Sequence, residues 1–103
     1  MPQFLFRNLN LLDPRWSEAR GGYEVLVEGD LIKEVSAKPI KAPQAQIVDC
    51  GKRTLMPGLI DNHWHTMLVR PPVTQLTTSD PGYLNLLAGA EANDTLMRGF
   101  TTV

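Results

Sequence analysis

One cysteine, Cys50, and two histidines, His63 and His65, are all that this chain has of thiol and imidazole. A lone thiol permits no internal disulfide and no cysteine-built zinc cage. Nothing around Cys50 suggests an activated thiolate, so it reads as a small strand-end residue. No stretch approaches the ~20 apolar residues of a membrane-spanning helix. The start, Met1-Pro2-Gln3-Phe4-Leu5-Phe6-Arg7, lacks the basic opening and the roughly 7–15 residue apolar run of a secretion signal. Charge of one sign is never concentrated: 10 basic and 11 acidic residues are scattered to a net charge of −1. No basic stripe is interleaved with aromatics, which argues against nucleic acid and against a membrane as partners. A reducing, cytoplasmic setting is the expectation. Internal repeats and low-complexity tracts are also absent.

What remains is the composition of a folded chain, with 103 residues, 43% of them hydrophobic and 20% charged. That is room for one small domain at most. A domain of this size buries only about 60–65% of the surface its unfolded chain exposes, so dividing it between two cores leaves each marginal.

The first half reads as short strands and turns: Phe4 to Leu9, a loop rich in Asp, Pro and Gly, then Tyr23 to Glu28, Leu31 to Ser36 and Gln46 to Asp49. The pattern predicts a β-meander. Gly29-Asp30 is a two-residue hairpin signal, because the first turn position needs a positive φ that glycine supplies freely. Val25 and Val27 alternate with Glu24 and Glu28, as on a half-buried strand. Pro39 and Pro43 exclude Lys38 to Ala45 from a central strand and make it a connection or irregular edge. Cys50-Gly51-Lys52 is a further turn.

Pro57-Gly58 reads as a boundary, with residues 1–56 before it and 57–103 after. Beyond it the pattern predicts a strand over 59–65, a loop over 66–80, a helix over 81–98 and a strand over 100–103. Strand, helix, strand in that order is the pattern of a parallel βαβ unit. Ser79 or Asp80 can cap the helix, Pro81 suits its first turn and Gly99 its end. Leu84, Leu87, Ala88, Ala92, Thr95 and Leu96 fall at three- and four-residue spacings and define an apolar face for core packing. The loop is near the length at which unstructured connections are usually functional or mobile. Arg70 within it reads as a solvated charge, or, if functional, as a contact for a substrate carboxylate.

His63 and His65 stand two apart in Asp61-Asn62-His63-Trp64-His65. On a strand, positions i and i+2 share a face at about 6.5–7 Å, so two imidazoles can converge on one ion; on a helix they diverge by roughly 200°. The C-terminal end of a parallel strand is where such sheets place their chemistry. A single His-x-His also occurs by chance on surface strands, and buried histidines often only satisfy a carbonyl, so the spacing leaves both readings open.

The longer run Pro57-Gly58-Leu59-Ile60-Asp61-Asn62-His63-Trp64-His65 closely resembles the PGxIDxHxH signature of the amidohydrolase superfamily. Val27-Glu28-Gly29-Asp30-Leu31-Ile32 is similar to that family's N-terminal hairpin. Val48-Asp49-Cys50-Gly51-Lys52 is similar to its lead-in, and Gly99-Phe100-Thr101-Thr102-Val103 to its second barrel strand. The branch it looks most similar to holds imidazolonepropionase-like and Xaa-Pro dipeptidase-like enzymes. The resemblance implies an α/β fold in which β-sandwich strands (1–56) precede the first β-α-β portion (57–103) of a (β/α)8 TIM-type barrel. It implies His63 and His65 as ligands of one or two divalent metals, commonly zinc, with Asp61 a conceivable extra ligand but expected in a structural role. It also implies hydrolysis of amide, cyclic amide or peptide-type C–N bonds in a small-molecule or dipeptide-like substrate, and a homo-oligomer. Later barrel strands, which carry the family's other ligands and proton-transfer group, lie outside these residues. The expectation is therefore an N-terminal fragment that is inactive alone and has no catalytic residue of its own. The competing readings are a truncated, inactive assembly or binding module, and a free-standing β-domain over 1–56 that binds through its strand edges.

Overall fold

In the first strand the apolar residues slip phase, from Phe4 and Phe6 to Leu9 and Leu11, and the backbone slips with them. β1 (Gln3–Leu11) pairs antiparallel with β2 (Arg20–Glu28), with Phe6 opposite Val25 and Leu9 opposite Tyr23. Three steps on β1 thus match two on β2, which is a β-bulge. Asn8 absorbs it at φ 53°, a left-handed conformation that asparagine tolerates better than most residues. Because of the bulge, Phe6, Leu9 and Leu11 join one apolar cluster with Val25, Trp16, Tyr23, Val27, Cys50 and Leu55.

The chain is described here by a computed structural model of residues 1–103, which divides into two units, Met1–Pro57 and Gly58–Val103. In the first, β3 (Leu31–Ser36) follows β2 through the Gly29-Asp30 turn, with Glu28 opposite Leu31 and Gly29 at φ 62°. β4 (Gln46–Asp49) and the short β5 (Thr54–Leu55) both pair with β1 in parallel. The sheet order is therefore β3-β2-β1-β4, with β5 also on β1.

The simple meander expected from the sequence is corrected here: only β1 to β3 form one. The segment between β3 and β4 crosses from one sheet edge to the other, and its prolines keep it out of the ladder. Ile40 on this crossover is buried against Leu5 and Leu26, with Ala42 and Ala45 alongside. The Ile40 N–H donates to Glu24 Oε2 at 2.7 Å, and Arg7 Nε donates to Glu24 Oε1 at 2.6 Å. Glu24 is held below the usual carboxylate pKa, first by the Ile40 hydrogen bond and also by Arg7. These strands form one five-stranded sheet, with the crossover covering its Leu5–Leu26 face.

The second unit is a βαβ element. β6 (Leu59–Ile60) and β7 (Phe100–Thr102) are parallel neighbours, and α1 (Pro81–Met97) connects them. The loop between β6 and α1 contains a 3-10 turn over Val73–Gln75. Asp80 is the N-cap, its Oδ1 accepting from the Tyr83 N–H at 3.1 Å, with Pro81 at the first helical position. Gly99 ends the helix at φ 98°, a conformation that costs glycine nothing. The apolar face expected on α1 is only partly covered. Leu84 and Thr95 are buried, but Ala92 and Leu96 are exposed, and Glu91 takes a buried place instead. The whole chain is thus mixed α/β, a strand-rich sheet followed by a single helix between two parallel strands.

Candidate metal centre

β6 and β7 approach so closely that position 58 has no room for a side chain. A Cβ on Gly58 would lie 2.7 Å from Thr101 Cβ and nearer still to its Oγ1 and Cγ2. The Leu59 N–H donates to Gly99 O at 2.8 Å and the Asp61 N–H to Thr102 O at 3.0 Å. The ladder stops there. Asp61 Oδ1 accepts the His63 N–H at 3.0 Å, a local side-chain turn of the kind that competes with strand pairing. The strand expected over 59–65 is therefore regular only over Leu59–Ile60, and both histidines lie in the turn that follows.

That turn brings them together as the strand reading expected, by a different geometry. His63 Nε2 and His65 Nε2 are 2.7 Å apart, and the ring centroids lie 4.8 Å apart at 46°. Both side chains are exposed, while Trp64 between them is half-buried. Without an ion, one Nε2 must donate and the other accept; with an ion, both lone pairs can point at it once Nδ1 carries the proton. Asp61 contributes a backbone constraint to His63. No group of three or more His, Cys, Asp and Glu side chains converges in the chain, so the pair supplies two donors and no more.

Arg70 is not the solvated charge read from the sequence. Its Nε donates to Glu91 Oε2 at 3.2 Å, and its Nη2 pairs with Asp94 Oδ2. Glu91 is 3% exposed, and its Oε1 accepts from Arg98 Nη1 at 2.9 Å and Thr95 Oγ1 at 3.4 Å. The carboxyl is held below its usual range, first by the Arg98 hydrogen bond, against a desolvation that raises it. Sequence reading passed over Glu91 because it sits among apolar positions. The available signal was its spacing of three, four and seven from Asp94, Thr95 and Arg98, which puts all four on one helix face.

No family model matches the chain. The dihydroorotase of Aquifex aeolicus (strain VF5) is 31% identical over 103 residues, which is 100% of this chain and 21% of that protein. A solved amidohydrolase is 42% identical, with a TM-score of 0.87 over 98% of this chain and 24% of its own. A prolidase solved with N-methylphosphonate-L-proline is 27% identical, with a TM-score of 0.86 over 96% of this chain and 24% of its own. These likenesses run through both units and through the turn that carries the histidines. The chain belongs to the amidohydrolase superfamily. It spans about a fifth of the length of the dihydroorotase and about a quarter of the two solved chains.

Proposed function

We propose that His63 and His65 are two ligands of a catalytic divalent metal, in a hydrolase that cleaves C–N bonds of amide, cyclic amide or peptide type. The observation that carries this reading is the convergence of the two Nε2 atoms at 2.7 Å in an exposed turn. Imidazole nitrogens suit zinc, copper, nickel and iron alike, and zinc is the ion proposed because a hydrolase needs a Lewis acid without redox chemistry. When bound, the metal would lower the pKa of water and polarise the scissile carbonyl. His63 and His65 would hold it as neutral imidazoles and take no part as bases. Asp61 holds the His63 backbone through the 3.0 Å hydrogen bond from its N–H.

In this reading residues 57–103 are the first βαβ portion of a (β/α)8 barrel, and residues 1–56 are the N-terminal part of a small β-sandwich domain. The other ligands, one or two ions in all, and the proton-transfer group come from elements outside these residues. The substrate is a small cyclic amide or a dipeptide-like molecule, as the names of the dihydroorotase and the prolidase suggest. The branch proposed is the one that holds imidazolonepropionase-like and Xaa-Pro dipeptidase-like enzymes. The active form in this reading is a cytoplasmic homo-oligomer. A second reading, a catalytically inactive assembly module, draws on the lack of a third converging ligand.

Metal content and hydrolysis, assayed together on the longest protein the gene encodes, separate the two. The enzyme reading expects one or two metals per chain and turnover of cyclic amides or prolyl dipeptides, both lost in His63→Ala/His65→Ala. A folded, metal-free, inactive protein would leave only the assembly module.

A further inference from the structure

Glu91 is a buried charge that the metal reading leaves without a task. Burying a carboxylate is costly unless it is paired and hydrogen-bonded, and this one is fully engaged by Arg98, Thr95 and Arg70. The Arg98 and Thr95 contacts stay within α1 and its end. The Arg70 contact reaches from the helix to the loop that continues from His65, where Pro71 is buried next to it. Asp94 adds a second carboxylate to the same guanidinium. At its other end the histidine turn is tied to β7 by the hydrogen bond from the Asp61 N–H to Thr102 O, 3.0 Å. The segment from Asp61 to Arg70 is thus fastened at both ends, with the histidine pair between them.

We propose that Arg70 and Glu91 are positioning residues for His63 and His65, closing the loop behind the pair so that the two Nε2 atoms stay convergent. Fixing both ends of a short segment removes chain entropy that a ligand would otherwise have to remove on binding, and preorganised ligands bind more tightly. The planar guanidinium suits this task because it engages two carboxylates at once, which an ammonium does less well. The inference rests on the metal reading only for the use of the pair. The fastening itself is a property of the metal-free chain.

The test uses the longest protein the gene encodes and three variants of it: Arg70→Met, Glu91→Gln and the two combined. Backbone order parameters from 15N relaxation need no metal. Arg70→Met is expected to lower them over residues 63–72 from about 0.85 to below about 0.6, with Leu59 and Asp61 unchanged and the helical circular dichroism retained. Zinc affinity is expected to fall about tenfold, the lower end of what outer partners of metal ligands usually cost. Glu91→Gln should act in the same direction, more weakly because Asp94 still holds Arg70. The combined variant should be no worse than Arg70→Met alone, as for two ends of one contact. Unchanged order over 63–72, or a loosening spread equally through β6 and β7, would overturn the proposal. Should the wild-type protein at its longest encoded length bind no zinc while the order parameters behave as expected, the metal reading fails and the positioning of the pair stands.

Discussion

Replacing Gly58 by alanine tests whether the close pairing of β6 and β7 holds the histidine turn in place. The added Cβ would lie 2.7 Å from Thr101 Cβ, with the Thr101 Oγ1 and Cγ2 closer still. Real Cβ atoms essentially never come under 3.0 Å, and the obstructing atoms sit at the root of a branched side chain, so no flexible end can swing away. Overpacking of this kind costs about 1–3 kcal/mol. The natural assay is exchange of the Leu59 and Asp61 amides, which donate to Gly99 O and Thr102 O. A local loss of about 1–3 kcal/mol speeds their exchange by about 5- to 150-fold. Thr101→Gly in the Gly58→Ala background removes the obstruction and should restore most of the protection, less about 0.5–1 kcal/mol for a glycine in a strand. Thr101→Ala should restore only part, because its Cβ remains. Wild-type exchange in Gly58→Ala, or a Thr101→Gly that rescues nothing, would show that the two strands are not packed as described.

Ile40→Ala should destabilise the first unit by about 2 kcal/mol or more, since it empties the contact of the crossover with Leu5 and Leu26; a lowered urea midpoint checks it. Asn8→Val should cost about 1–2 kcal/mol, because a β-branched residue resists φ 53°, whereas Asn8→Gly should cost much less in the same titration. Acid should loosen the contact of the 66–80 loop with α1. The folded pKa of Glu91 lies below its ordinary value, so its contribution is fully present above about 4.3 and is lost as pH falls through the lower folded value. Unfolding midpoints between pH 7 and pH 3 should therefore fall less steeply for Glu91→Gln than for wild type, while the shared effects of Glu24, Glu28 and Asp49 cancel in the comparison.

Local chemistry was legible in the sequence wherever a single residue type decides a backbone conformation. Gly29 set the hairpin, Asp80 and Gly99 bounded the helix, and the prolines of the crossover kept it out of the sheet. The phase slip between Phe6 and Leu9 was visible as letters, but only the register with Val25 and Tyr23 shows that Asn8 takes it up. The parallel pairing of β4 with β1 was not legible, because a four-residue strand such as Gln46–Asp49 carries no mark of which edge it joins. The histidine pair was legible through its spacing and surroundings, and its convergence survived the loss of the strand assumed to cause it. Asp61 shortened that strand by capping the turn locally, a contest between side chain and ladder that alternation alone does not reveal. Arg70 and Glu91 were misread or missed because each looks ordinary until the fold brings residues 21 apart in sequence into contact.

The central claim is that His63 and His65 together bind one metal ion, and X-ray absorption of the zinc-loaded protein at its longest encoded length addresses it most directly. The account predicts a nearest shell containing two imidazole nitrogens at about 2.0–2.1 Å, both absent when His63→Ala/His65→Ala is treated in the same way. A zinc shell without imidazole, or one unchanged by the double substitution, would contradict it.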